Sequence, residues 1–591
     1  MITSKELRRK WLEFYVKNGH YDCGVVSLVS DGSTGAMFTV AGMQPIMPYL
    51  LGEKYPNGAT RIVNVQGCIR TVDIEEVGDN RHCTFFEMMG AWSLGDYWKD
   101  ERCAYSWQLL TDVFGLDKNR LACTVFEGDA NAPRDDETAK YRMQYGFPKN
   151  KVFYLNKKEN WWELDRGPCG PCSELFYETD KPKCGKGCNP SCDCGAYVEI
   201  GNDVFMQFNR VEDSKYIPLE NKNIDTGWGF ERNLMFLQGT SDVFKTDLFS
   251  EAIKVIERLS GKKYEENKKA FRVIADHTRT AVMLIGDVNS LLPSNTAQGY
   301  ILRRLIRRAV RYARGLGLIA GALSVVAKTF FDVYGEAYPL LVKNTDYILD
   351  QINKEEERFL KTLEGGEREF IKLVERIKKF APNNTVISGK EAFKLFDTYG
   401  FPLELTQEMA REFLFTVDDK GFNKAFAEHR EKSQTANAGA FKGGLVENND
   451  ITTKLHTATH LLLAALRKVV KDDITQKGSH ITPERLRFDF NSEKLTDAQV
   501  KKVEDLINTW IKKALPIVCK EMPIEQAFAS GALGVFGTKY GDVVKVYSIG
   551  DVSCELCGGP HAENTKDLGT FKIAKEESVA AGIRRIKAII S

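Results

Sequence analysis

Two histidines and a cysteine–histidine pair are the residues whose types and spacing point most directly to chemistry. His456 and His460, in the run HTATH, stand four apart, and on a helix that spacing puts both imidazoles on one face. Cys557 and His561, in CELCGGPH, stand four apart across a glycine turn. Three nitrogens and one thiolate suit zinc. No glutamate follows His456, so the HExxH pattern of metalloproteases is excluded. A second group, Cys184, Cys188, Cys192 and Cys194, sits in a short stretch among glycine and proline and reads as a small structural zinc knuckle, with reduced free thiols as the alternative.

Anion chemistry is written elsewhere. Residues 81–99, RHCTFFEMMGAWSLGDYWK, read as two strands around a loop. An arginine such as Arg81 grips phosphate bidentately, and an aromatic such as Phe86, ahead of Glu87, can stack on a purine. Arg70 closes the strand-like run RIVNVQGCIR and can bind a carboxylate. In DTGWGFER (225–232) a glycine-rich turn leads into a helix, which lets a ligand approach the backbone and brings Arg232 towards it. Arg303, Arg304, Arg307, Arg308, Arg311 and Arg314 wrap round one helical segment. They read as a track for backbone phosphates or as an ion-pair network with acidic helices.

A chain of 591 residues calls for three or four domains. A hydrophobic share of 43% and a charged share of 28% belong to a soluble globular chain. The net charge of +1 gives no overall attraction to a polyanion, so any nucleic-acid contact has to be local. The N-terminus has no apolar core of a secretory signal, and no run of 18 apolar residues occurs, so a cytoplasmic chain without a membrane span is expected. In that setting the fourteen cysteines read as thiols or metal ligands. Strand-like segments fall at 25–29, 37–40, 61–65, 84–88, 123–126, 152–155, 174–178, 197–200 and 204–209, with a turn at 31–33 between the first two. A helical pattern runs from about 245 to 430, the small polar run 434–450 reads as a linker, and a helix and further strands follow.

Taken together, HCTFFEMMGAWSLGDYWK, DRGPCGPCSE, DVFMQFNR, DTGWGFER, RVIADHTR, YILRRLIRRAVR and LFDTYGFPLELT resemble the class II aminoacyl-tRNA synthetases, most closely the alanyl-tRNA synthetases. The HTATH and CGGPH elements resemble that family's editing domain, shared with threonyl enzymes. The resemblance implies an α+β multidomain fold. A class II catalytic domain (1–245), an antiparallel sheet flanked by helices, is followed by an all-helical tRNA-recognition domain (246–433), the linker (434–450) and an α+β zinc-containing editing domain (451–591). It implies ligation of alanine to tRNA(Ala) through alanyl-adenylate, with Mg²⁺ and ATP, and hydrolytic editing of Ser- and Gly-tRNA(Ala). By the motifs, Arg81 holds the α-phosphate, Phe86 and Arg232 sandwich the adenine, and Glu87 joins the ATP site. Arg70 pairs with the alanine carboxylate and Asp225 with its ammonium, while Trp162, Asn202, Val204 and Gly227 close the pocket. Asn295 and Asp397 read a G·U pair of the tRNA, and Arg303, Arg307 and Arg311 track its backbone. Thr457, Thr459 and Gln476 act beside the editing zinc of His456, His460, Cys557 and His561. Cys169 and Cys172 fall inside a substrate-pocket loop of the family, which favours a non-redox role.

The chain departs from the family at several points. After Arg70 it reads TVDIEEVG, without the usual Gly-Lys-His-Asn run, so the family's lysine near the ATP phosphates is expected to be missing. Cys83 replaces a histidine, and Pro560 a threonine. The linker stands where a β-barrel normally precedes HTATH, and the sequence ends after the editing-type block. These features imply a short form and a monomer. The competing readings are a synthetase of other specificity, a synthetase-like tRNA-binding protein, and an editing-only hydrolase.

Overall fold

A nine-stranded sheet frames the first part of the chain. The computed structural model describes residues 2–30, 36–212, 215–438, 449–533, 543–580 and 583–591. They fall into two compact units, Met1–Asp418 and Asp419–Ser591. In the first, the strands are β1 (Tyr21–Asp22), β2 (Arg61–Ile69), β3 (Phe85–Leu94), β4 (Leu121–Phe126), β5 (Val152–Leu155), β6 (Trp161–Trp162), β7 (Gly167–Glu178), β8 (Tyr197–Glu212) and β9 (Lys215–Gly229). Their order is β1-β2-β3-β9-β8-β7-β4-β5, with β6 on β7. The edge pairs β1–β2 and β4–β5 are parallel and the rest antiparallel.

Residues 81–99 form one ten-residue strand rather than two, because Lys99 already opens a helix, Lys99–Gln108. The expected strands at 25–29 and 37–40 shrink to one bridge, Val29 to Phe38, and the turn at 31–33 lies outside the described residues. DTGWGFER is no turn: its first five residues end β9, and the helix Phe230–Leu237 starts directly. The helix Ser4–Lys17 opens on a capping box of Thr3 and Glu6 and buries Leu7, Trp11 and Tyr15. Its Trp11 ring lies 5.4 Å from that of Trp228 on β9.

Helices fill the rest of this unit. Lys268–Ile285, which carries RVIADHTR, is buried from Phe271 onward, so its charged residues have to find partners inside the protein. Beside it run Ala297–Gly315, with the arginines, and the long Thr345–Phe380. Two short strands, β10 (Val386–Ile387) and β11 (Thr416–Val417), pair near the unit's end. The division at 418 falls inside the stretch assigned to 246–433. The helix Asp419–Ala438 enters the segment read as a linker, of which 439–448 lie outside the described residues.

The second unit is α+β. The helices Asp450–Val469 and Asp497–Lys512 accompany the sheet β12 (Gln476–Thr482), β13 (Arg485–Asn491), β18 (Ile583–Ile590) and β17 (Phe571–Ala580). A smaller sheet joins β14 (Ile517–Pro523), β15 (Val543–Ile549) and β16 (Ser553–Leu556). Among the described residues no helix is long and apolar enough to cross a membrane.

Candidate functional site

Strand alternation builds the first site. On β3, Phe86 and Met88 face one side of the sheet, while Phe85, Glu87 and Met89 are fully buried on the other. On β8 and β9, Asn202, Val204, Asp225 and Gly227 share the side of Phe86. The register sets Asn202 opposite Gly227, and Asp225 between Val204 and Trp92. With Arg70 beyond β2, Arg81 before β3, Trp162 on β6 and Arg232 on the following helix, these residues line one cavity of about 250 Å³. Gly227 leaves room beside Met88: a Cβ there would lie 3.1 Å from the Met88 sulfur, which would have to give by a few tenths of an ångström.

Glu87 is not on that wall. Alternation turns it away, and Arg8 grips its carboxylate at 2.5–3.1 Å. Its backbone N–H donates to Glu231 at 3.1 Å. The cavity also takes in Ala41, Met43, Asp73, His82, Met88, Glu199 and Glu231, to which the sequence reading gave no role. Met88 was readable, two strand positions from Phe86. Ala41 and Met43 carry no local signal, because only the tertiary fold brings them in.

The electrostatics favour a cationic guest beside an anionic one. Asp225 is 8% exposed. Burial pushes its carboxyl up to about 7, the Trp92 indole working the other way and Asp203 adding to the rise. Asp203, on the opposite face, has its own cations, Arg142 at 2.6 Å and Arg102 at 3.6 Å. Among the described residues no Lys or Arg pairs with Asp225. Burial and then Glu199 push Glu174 up to about 8, while Glu199 itself holds Arg232 at 2.6 Å.

In the second unit, His456, His460, Cys557 and His561 offer ligand atoms that all lie within 4.8 Å of one another. Nδ1 of His456 lies 2.9 Å from the Pro560 carbonyl and that of His561 3.3 Å from the Thr457 hydroxyl, while Nδ1 of His460 faces the Glu555 carboxylate at 3.0 Å without a hydrogen bond. This leaves the Nε2 atoms for a metal, as zinc-binding imidazoles require; Nε2 of His561 is buried without a partner. Against its burial, hydrogen bonds from His456, His460 and His561 bring the Cys557 thiol down to about 3. Thr457 accepts the Ala562 N–H at 3.0 Å, and the Thr459 hydroxyl donates to the His456 carbonyl at 2.6 Å. Both hold the helix and loop that carry the His456, His460, Cys557 and His561 cluster, and the Gln476 amide donates to the Ser479 hydroxyl at 3.2 Å. Cys184, Cys188 and Cys192 also gather within 4.8 Å, with Cys194 3.6 Å from Cys188.

The model of class II tRNA synthetases (A) matches residues 6–479, and that of the threonyl and alanyl tRNA synthetase second additional domain matches residues 544–587. Alanine–tRNA ligases are similar over the whole chain. That of Borreliella afzelii (strain PKo) is 47% identical, with all of both chains covered. That of Treponema denticola is 49% identical over all of this chain and 99% of that protein. That of Clostridioides difficile is 35% identical over 99% of this chain and 79% of that protein. The chain belongs to the alanyl-tRNA synthetases.

The arginine helix of the synthetase is not a free phosphate track. Arg303 and Arg307 share Glu355 at 3.2 and 2.6 Å, Arg308 pairs with Glu408 at 2.8 Å, and Arg311 with Glu412 at 2.6 Å. Arg314 meets Glu364 at 3.1 Å and Arg304 meets Glu75 at 2.7 Å. These pairs match the ion-pair alternative given for Arg303, Arg307 and Arg311. Acidic partners lie far away in sequence, which the helical pattern alone does not reveal. Asn295 and Asp397 are exposed. Arg303 donates to the Asn295 side chain, and Arg307 to the carbonyl of Gly400, three residues beyond Asp397.

Proposed function

We propose that the cavity of the first unit is where this synthetase activates alanine with ATP and then transfers it to tRNA(Ala). Asp225 takes the alanine ammonium and Arg70 its carboxylate, with Val204, Asn202, Trp162 and Gly227 limiting the side chain to a methyl. Arg81 neutralises the α-phosphate. Phe86 stacks under the adenine, and Arg232, held by Glu199, covers it. One carboxylate oxygen of alanine attacks the α-phosphorus and pyrophosphate leaves. A terminal ribose hydroxyl of the tRNA then attacks the alanyl carbonyl and AMP leaves. Positioning and charge neutralisation carry such a reaction without a protein nucleophile. Mg²⁺ accompanying ATP would offset phosphate charge, and Glu199 on the cavity wall offers it a carboxylate. The observation that carries this reading is the convergence of Arg70, Arg81, Phe86, Asp225 and Arg232, from separate elements, on one cavity.

A small pocket excludes larger amino acids but discriminates against glycine and serine by only about 1–3 kcal/mol, so a hydrolytic site is needed. The second unit suits that role: His456, His460, Cys557 and His561 would hold zinc, which would orient the mischarged ribose end. Gln476 is the remaining candidate to contact substrate there. Cys184, Cys188, Cys192 and Cys194 suit a structural zinc. Asn295 and Asp397 offer an amide and a carboxylate to the edges of a G·U pair, and a cytoplasmic location suits these substrates.

The test is alanine-dependent ATP–pyrophosphate exchange across a panel of amino acids. Asp225→Ala is expected to lose about 2–4 kcal/mol of transition-state stabilisation. Near-normal exchange in that variant, or equal exchange with threonine, would overturn the assignment. Replacing the tRNA's G·U pair with G·C is expected to abolish charging.

A further inference from the structure

Two motifs, RVIADHTR and YILRRLIRRAVR, touch neither substrate pocket, yet they are densely charged and largely buried. Five of their side chains, Arg272, Asp276, Arg279, Arg304 and Arg308, meet the loop between β2 and β3 or the strand start that follows it. That loop contributes Asp73, Arg81, His82 and Cys83 to the cavity wall. It has no lysine of its own and carries Asp73, Glu75, Glu76 and Asp79. Its grip comes from behind. Arg308 donates to the Ile74 carbonyl at 2.8 Å, and Arg272 to that of Gly78 at 2.9 Å. Asp276 accepts the Thr84 N–H at 3.0 Å, and Arg279 donates to the Phe85 carbonyl, directly before Phe86. The side-chain anchor is Glu75. One carboxylate oxygen takes Arg304 at 2.7 Å and the other takes Arg411. Glu75 itself is not on the cavity wall.

We propose that Glu75 is a positioning residue for ATP. Clamped by Arg304 and Arg411, it fixes the loop that presents Asp73, Arg81 and His82 to the nucleotide, so the helical part of the unit sets the shape of the ATP site. The arginine helix then has a use other than binding RNA phosphates. A loop without a lysine contributes to ATP binding through where it holds its neighbours. A displacement of about 1 Å in such a site is enough to cost one to two orders of magnitude. The proposal rests on the cavity being the ATP site.

Pyrophosphate exchange with Glu75→Ala, Arg304→Ala and the double variant tests it, each with both Michaelis constants and a thermal midpoint. Glu75→Ala is expected to raise KM for ATP about tenfold, leave KM for alanine within about twofold, and shift the midpoint little, because the carboxylate is partly exposed. Arg304→Ala is expected to do the same, and the double variant no more than either single one. An unchanged KM for ATP would overturn the proposal. So would a parallel rise of both constants with a falling midpoint, or effects that multiply in the double variant. A wild-type chain without alanine-dependent exchange would overturn the ATP-site reading as well, which separates the two failures.

Discussion

The Arg70 guanidinium lies over the Phe86 ring, 4.7 Å from its centre. The side chain proposed for the alanine carboxylate thus rests on the platform proposed for adenine. ATP arriving alone has to displace it, giving up about 0.5–1 kcal/mol of cation–π attraction. An alanine carboxylate that draws Arg70 aside removes this competitor, so the two substrates favour each other's binding. Alanine is therefore expected to tighten binding of a non-hydrolysable ATP analogue about two- to fivefold. Alaninol, which lacks the carboxylate, is expected to leave it unchanged. Calorimetric titration reads this directly, and equal effects from alanine and alaninol would refute the coupling.

Asp225 makes a prediction with a definite sign. An aspartate titrates near 3.9 when unfolded, and burial in the cavity wall holds this one at about 7. Between those values the folded chain carries the extra proton, so stability falls as pH rises through the window, and above 7 the whole penalty is present. Asp225→Asn is neutral throughout. It is expected to be more stable than the parent at pH 8, by on the order of a few kcal/mol at most, and no more stable at pH 4. Its alanine-dependent exchange is expected to be lost at every pH. In the parent, KM for alanine is expected to climb as pH drops below about 7, because the carboxyl must give up its proton to hold an ammonium. Unfolding profiles from pH 4 to 8 and exchange profiles from pH 5 to 8 check both, and a flat stability difference would rule out the burial argument.

How much of this was readable beforehand depended on the range of the interaction. Phe86, Asn202, Val204, Asp225 and Gly227 came from the motifs of the resemblance, and strand alternation is the physical reason they share one wall of the cavity. Glu87 was misplaced by the same rule read one residue off: it neighbours Phe86 in sequence, so it must point away. The expected strands at 25–29 and 37–40 have the right composition but find only one bridging pair, and β-propensity without a pairing partner does not make a strand. The six arginines illustrate the deepest limit. Whether a buried-side arginine binds RNA or Glu355 is decided by a helix some fifty residues downstream, and nothing local to 303–314 encodes it.

The metal sites predict a stoichiometry. Two zinc ions per chain are expected, one on His456, His460, Cys557 and His561 and one on the Cys184–Cys194 cluster. Cys557→Ala is expected to lose one ion and Ser-tRNA hydrolysis, with alanine-dependent exchange intact, because its ligands and the ATP cavity belong to different units. Cys188→Ser is expected to lose the other ion and keep hydrolysis. Elemental analysis beside the two assays distinguishes them, and hydrolysis that survives in Cys557→Ala would show that the site is not the editing centre.

Glu355 is where the ion-pair reading of the arginine helix can be broken. Its side chain is 2% exposed and holds both Arg303 and Arg307, themselves 12% and 10% exposed. Removing a buried carboxylate strands two guanidinium groups that have little water to turn to, and losses of about 3–5 kcal/mol are usual for one such pair. Glu355→Ala is therefore expected to lower stability by about that amount in denaturant unfolding. Arg314→Ala, which removes a pair 42% and 68% exposed, is expected to change it by less than about 1 kcal/mol. The same contrast separates the two roles once given to these arginines. If Arg303 and Arg307 served chiefly to bind RNA phosphates, freeing them from Glu355 would strengthen tRNA binding and steepen its salt dependence. If they are internal struts that carry Asn295 and the Gly400 carbonyl, Glu355→Ala is expected to weaken it instead, because Asn295, proposed to meet the G·U pair, loses its support.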